Sequence, residues 1–511
     1  MIRSLAIPWI SGVMVLAAAE SPDLLRFTNG DQLHGTFQGI KDGSQVIWQR
    51  DDLGAPVEFK PAQLRHVVLR GGKPLKALTS FSNLAMVNGD NIPGTITDID
   101  SETVTVETLY AGSIRIPREQ VAMLAPNPLG GRLRYHGPFA ADDWKMANAS
   151  FPDGMPPPAP DSAKPEKETK PNKDQPGFWS FSGSAWYWVN RLAGTALLKE
   201  DAMPDRAILR FDLAWKNRLS IAIGFHSDFA KSKPQDDEDK NPDKLQPRKL
   251  QGFAPGDSTA LPVLFGNSYV IQIFSTHLML FRTSINEDGS PVVERVQING
   301  NAIRLGDTGK ARMEIRSNRL TGEISIFIND EFVVNWSEGG SDPQELSRYA
   351  GKGAGFGFVV QTEDSPVRIS DIVVAEWNGM PDSARSLQVD DQDIVLLTNG
   401  TDRFSGKVGT MRDGSIPLEG RYGRFQFKLE DIAEIRFARN DLAKATEPTA
   451  DTLIVRLNPL GQISGKPLSG NASSIRISNP IYGDLDFKLD SAIMLDFQST
   501  NNAIDDWDAE F

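Results

Sequence analysis

The 511-residue chain carries 67 acidic against 54 basic side chains, a formal net charge of −13, with 40% hydrophobic residues and no cysteine. That much apolar material excludes global disorder, and the length suits about three domains or a little more. The acidic balance and the want of a basic cluster exclude nucleic acid as a partner, since phosphate neutralisation supplies most of such affinity. The missing cysteines exclude disulfides, thiol catalysis and thiolate metal sites.

The first 19 residues read as a secretory signal. Arg3 gives the positive start, Leu5 to Leu16 a short apolar run, and Ala17-Ala18-Ala19 a cleavage site after Ala19. The run is too short to span a bilayer, which wants about 20 apolar residues. No later segment is long and apolar enough to be transmembrane. The mature chain is therefore expected in the periplasm or outside the cell. A cysteine-free exported chain of this size fits a bacterium best.

Residues 20–130 are expected to hold two tandem repeats. Leu24 to Gly35, with Asn29-Gly30-Asp31, opens the first, and Leu84 to Gly94, with Asn88-Gly89-Asp90, opens the second. Each begins with a mostly apolar strand running into Asn-Gly, a hairpin signal. Closing stretches follow at Pro61 to Leu69 and Pro117 to Leu124. Asn-Gly-Asp can be read as a ligand loop, but Asn and Gly also tolerate positive φ, and the turn reading is preferred.

Residues 131–380 follow a different rhythm. Leu209, Phe211, Leu213 and Trp215 alternate with Arg210, Asp212 and Ala214; Leu219, Ile221, Ile223 and Phe225 repeat the pattern. So do Ile324, Ile326 and Ile328, then Phe356, Phe358 and Val360. Period-two alternation over many segments predicts strands with one face buried, packed as a β-sandwich. Asn329-Asp330 predicts a tight hairpin, and a helical turn is expected near Pro343 to Tyr349. Two polar, proline-bearing stretches, 151–176 and 227–262, read as long loops of the sandwich. Trp186 and Trp188 share a face, and Tyr187 looks away.

Residues 381–500 return to the earlier pattern. Ile394 to Gly400 opens a third repeat and Leu453 to Asn458 a fourth. Asn29 to Asn88 and Asn399 to Asn458 are both 59 residues apart (88 − 29 and 458 − 399). Equal spacing suggests one two-repeat unit placed on either side of the sandwich, and the two pairs are expected to pack together. Residues 501–511 form a tail. The fold class is thus all-β.

Two resemblances follow. The repeats are similar in size and rhythm to SH3-like or Sm-like β-barrels. Phe178 to Trp186, Gly194-Thr195-Ala196 and Ala207 to Trp215, with Asn267-Ser268-Tyr269, Ile315 to Trp336 and Val367 to Val374, resemble the concanavalin A-like sandwiches. Laminin-G-like domains and 3-keto-disaccharide hydrolase-like domains are the similar branches. The resemblance implies a jelly roll of two antiparallel sheets, with a glycan or protein site on the concave face or at loop ends. Fold alone assigns no function.

Chemical signatures are sparse. Sandwich glucanases carry paired acids on one strand, and no Glu-x-Asp-x-Glu appears between Phe178 and Trp377. Asp212, Glu314 and Glu323 stand singly on strands and read as solvated. His34, His66, His136, His226 and His277 are scattered, with no metal-ligand spacing. Asp236-Asp237-Glu238-Asp239 offers carboxylates for calcium but no recognisable loop spacing, so no cofactor is expected. Tyr187, His226, Asn267 and Tyr269 are the candidate ligand-binding residues, as an exposed site.

These observations lead to an exported, non-catalytic binding or scaffolding protein whose lectin-like sandwich takes a glycan or protein partner. A sugar-processing, glycoside hydrolase-like enzyme and a purely structural envelope component are the alternatives. A carboxyl pair facing a cleft would favour the enzyme, exposed aromatics the lectin, and a filled concave face the structural component.

Overall fold

The structure, a computed structural model, describes residues 22–148, 178–188, 194–230, 258, 260–297, 303–338, 349–362, 365–379, 389–444, 449 and 451–497, and the backbone of 151–155. The expected signal, the acidic run 236–239, most of both long loops, the turn near 343–349 except Tyr349, and the tail lie outside these residues. The chain is nearly all β. Its one described α-helix is the short Leu261–Phe265, and no helix there could cross a membrane.

The front and rear of the chain build one body. Residues 23–68 fold as five strands ending in Leu64–Val68, and residues 83–125 end in Val121–Ala125. Residues 393–436 end in Ile432–Arg436, and residues 453–496 in Ala492–Asp496. A single 3-10 turn precedes each closing strand: Pro61–Gln63, Arg118–Gln120, Leu429–Asp431 and Leu489–Ser491. The Asn-Gly positions form turns. Asn29 and Asn88 each accept the backbone N–H two residues on and donate to that same aspartate, Asp31 or Asp90.

The closing strands carry the association between front and rear. Leu64–Val68 pairs antiparallel with Ala492–Asp496, Val67 facing Leu495, and Val121–Ala125 pairs with Ile432–Arg436, Leu124 facing Ile435. The front pair and rear pair thus meet as expected. Gly39 faces Asn471, with Gly470 alongside, where a Cβ would strike the backbone of Gly470; its φ of +141° adds a second reason for glycine. Leu25, Trp48, Leu84, Val106, Val395, Ile416, Val455 and Phe487, from all four segments, lie in one apolar cluster. Continuous burial of this kind is the main force holding such small units together.

The middle of the chain is a two-sheet sandwich. One sheet orders its strands Ser180–Ser182, Ala185–Trp188, Val367–Glu376, Arg206–Trp215, Gly309–Asn318, Glu323–Ile328 and Glu331–Ser337. Leu133–Gly137 also pairs with Val367–Glu376. The other sheet orders Phe151–Met155, Lys145–Asn148, Thr195–Lys199, Gly355–Val360, Ser220–Ser227, Ser268–Phe274, Leu278–Ile285 and Pro291–Val296. The alternating residues meet between them: Leu209, Phe211, Leu213, Ile221, Ile223, Phe225, Ile326 and Phe358 share one core. Asn329 and Asp330 turn the predicted hairpin with φ of +52° and +65°, the pair of positive values a type I′ turn needs.

Candidate functional site

The outward face of the second sheet is closed. Ala196, Leu198, Ala222, Val270, Phe281 and Val359 pack there against Leu261, Leu264 and Phe265 of the short helix. Gly224 leaves room for the Phe265 ring, where any Cβ would collide with it.

The outward face of the first sheet is polar and looks toward the front-and-rear body. Arg312 donates to Asp212 at 2.9 Å, and Arg210 and Arg316 both donate to Glu314, at 2.8 and 2.6 Å. Asp212 and Glu314 are buried, so the expectation of solvated single acids is corrected. Their arginine partners, arriving from the next strand or two places along the same one, make that burial tolerable.

Between this face and the body lies a cleft of about 630 Å³. Arg210, Arg312 and Asp371 enter it from the sandwich, and Arg65, Arg456 and Asp496 from the body. His66 and His136 line it as well. Arg26 bridges the two parts behind the cleft, reaching His66 Nε2 at 3.2 Å and Asp371 at 3.6 Å.

A β-bulge aims Asp371. Arg210 faces Val373 while Asp212 faces Ser370, so Val367–Glu376 carries one extra residue there. Ile369 and Ile372 both point into the core, leaving Ser370 and Asp371 between them. Asp371 has a φ of +49° and lines the cleft with a quarter of its side chain exposed. Bulges of this kind re-aim side chains and recur beside functional sites.

The charges here are strongly conditioned by their neighbours. Burial, countered in part by Arg312, raises the Asp212 carboxyl above its ordinary value; the nearby Asp371 adds to the rise. Burial pushes Asp371 up too, but Arg26, His136, Arg65 and Arg368 outweigh it and hold the carboxyl below its usual range. Burial, then Arg26 and Arg65, drives His66 well down. Burial likewise lowers His136 to about 4, so both imidazoles are neutral at physiological pH.

Of the four residues singled out from sequence, Tyr187 stands apart from the other three. Tyr187 is half-buried on the outward side of the first sheet, with the Arg368 guanidinium over its ring at 5.7 Å. The parity reading was right, since Trp186 and Trp188 are buried. His226 is 0% exposed, which corrects its placement in an exposed site. Arg319 can only donate, so its 2.9 Å bond makes His226 Nδ1 the acceptor, and Nε2–H donates to Ser317 at 2.8 Å. Burial and then Arg319 push this imidazole down to about 3.

Tyr269 is corrected in the same way. It is 0% exposed, donates to Glu338 and packs beside Phe225, Trp336 and Tyr349. Asn267 is a loop staple: it donates to Asp228 at 2.7 Å and accepts the Ile285 N–H at 3.0 Å. His226, Asn267 and Tyr269 thus hold one end of the sandwich together.

The cleft itself escaped sequence reasoning. Its members come from the first, second and fourth small segments and from the sandwich, and only the bulge brings Asp371 into it. The one available signal was the double polar step Ser370-Asp371 between Ile369 and Ile372, a break in strict alternation.

No protein-family model and no curated protein matches the chain. Solved structures do. The carbohydrate binding module CBM66 from Bacillus subtilis is 13% identical, with 39% of this chain and 92% of that one covered and a TM-score of 0.23. A protein of unknown function with a galectin-like fold, also from Bacillus subtilis, is 15% identical over 48% and 98%, with a TM-score of 0.28. The exoplasmic/lumenal domain of VIP36, in its Ca2+/Man3GlcNAc-bound form, is 9% identical over 50% and 95%, with a TM-score of 0.26.

Proposed function

We propose that this is an exported glycan-binding protein whose ligand sits in the cleft between the sandwich and the front-and-rear body. The cleft's lining carries the reading. Sugar hydroxyls donate and accept hydrogen bonds at once, and a site for them needs both kinds of partner, held rigidly. Arginine forks and carboxylates both line this space, on strands braced by ion pairs. Arg3, the apolar run to Leu16 and the alanines at 17–19 support export. The SH3-like reading of the flanking segments gives them the role of docking modules that form the second wall. The test is a glycan array probed with the mature full chain, followed by calorimetry. Binding that Arg312→Ala or Arg456→Ala weakens supports the proposal; no binding across the array defeats it.

One observation favours a second reading as an enzyme. Asp212 and Asp371 are neighbouring carboxyls on adjacent strands, and their surroundings push their proton affinities apart, as acid–base pairs require. Release of reducing sugar from bound oligosaccharides, lost in Asp371→Asn, would establish it. Intact oligosaccharide after prolonged incubation would leave the protein a binder.

A further inference from the structure

We infer that Asp371 is the residue that selects the ligand, accepting hydrogen bonds from two adjacent hydroxyls of a neutral sugar. The inference rests on the cleft being the binding site, and it adds the ligand's chemistry. Among the described non-glycine residues of positive φ, only His226 and Asp371 lie within strands. His226 is explained by its two partners across the sandwich, Ser317 on the opposite sheet and Arg319 just past that strand. Among the described residues Asp371 has one ion pair, at 3.6 Å with Arg26, and that distance asks for no special backbone. Ordinary strand geometry would have avoided a left-handed residue, which costs a non-glycine side chain about 1 kcal/mol or more.

The bulge instead brings the carboxylate to the cleft wall. There Arg26 stands behind it, and Arg210, Arg312 and Arg456 are on the surrounding walls. A carboxylate offers about four acceptor positions. Arg26 occupies one side, and the side toward the cleft suits a pair of O–H donors about as far apart as vicinal hydroxyls. An ionised carboxylate in that position repels uronate or sulfate groups. The arginines keep N–H donors for the ring oxygen and for hydroxyls acting as acceptors, while Glu314, Asp212 and Asp496 offset the charges of Arg210, Arg312 and Arg456 toward an anionic sugar. The ligand class is therefore a neutral oligosaccharide with a free vicinal diol.

The experiment uses the mature full chain, with cellotetraose, maltotetraose, mannotetraose and tetragalacturonate as probes in calorimetry, and the variants Asp371→Asn and Asp371→Gly. Asparagine tolerates the same backbone and keeps the shape. The expected result is binding of at least one neutral probe, weakened about ten- to hundredfold in Asp371→Asn, with the thermal midpoint held. Asp371→Gly is expected to abolish binding while keeping or raising the midpoint, because glycine relieves the backbone. Neutral binding that survives in both variants overturns the role of Asp371 and leaves the cleft as the site. Binding of tetragalacturonate alone overturns the neutral class. Failure of the wild-type chain to bind any probe overturns the cleft reading and this inference together.

Discussion

Tyr482 donates its phenolic hydrogen to Asp90 at 2.8 Å, joining the last of the four small segments to the second. Asp90 also accepts the Ser464 N–H at 2.8 Å and the Ser464 hydroxyl at 3.0 Å. The Asn-Gly-Asp turn is thus local chemistry at Asn88 and long-range chemistry at Asp90. Removing the phenol in Tyr482→Phe leaves a buried acceptor short of one donor. The expected loss is about 1–2 kcal/mol, read as a lower urea midpoint. Asp31→Ala, in the exposed counterpart turn, is expected to change the midpoint by under about 0.5 kcal/mol.

Asp23 and Asp393 are two copies of one staple. Asp23 accepts the N–H groups of Phe37 and Arg70, at 2.9 and 2.6 Å; Asp393 accepts those of Val408 and Ala438, at 2.8 and 2.9 Å. Each carboxylate ties the start of its segment's first strand to the second strand and to the residues just past the closing strand. Asp393→Ala frees two buried donors and should cost about 2–4 kcal/mol by chemical denaturation. Asp393→Asn keeps one acceptor and should cost less.

Acid should unfold the chain through its buried histidines. His226 and His136 sit at about 3 and about 4 in the fold, chiefly because burial opposes their charge, against 6.5 for a free imidazole. A depressed value means the unfolded chain binds protons first. The stabilisation is complete above about pH 6.5 and is lost progressively as pH falls toward 4. Urea midpoints should be flat from pH 7 to 8 and drop between pH 6 and 4. His226→Gln should flatten that drop while lowering stability at pH 7.

The Asn329-Asp330 turn leaves a gain unused. Both residues hold positive φ, and the second position of a type I′ turn favours glycine. Asp330→Gly should raise the thermal midpoint slightly, by about 0.5 kcal/mol in stability. A fall would show that Asp330 makes a compensating contact.

The alternation at Leu209 to Trp215 and Ile324 to Ile328 made the sandwich readable, because one buried face leaves a period of two. The hairpin at Asn329 was readable for its turn chemistry. The burial of Asp212 and Glu314 was not, since a polar residue at an outward position looks the same whether it meets water or a second domain. His226 misled for a related reason: its positive φ turns it off the strand's alternation and into Ser317 and Arg319, residues about 90 places away. His66 and His136 show the limit most clearly. They lie 70 residues apart in sequence with no common motif, yet the same cleft holds both.

The pairing of Leu64–Val68 with Ala492–Asp496 carries a cost in time. A ribosome must add more than four hundred residues after Val68 before its partner strand exists. Until then the apolar strand border at Leu64–Val68 stays open to wrong pairing, and the one at Val121–Ala125 stays open until Ile432–Arg436 has been made. The intervening sandwich can mature alone, but the body around it closes only when synthesis nears its last strand. Removing that last strand should therefore harm the beginning of the chain more than its middle.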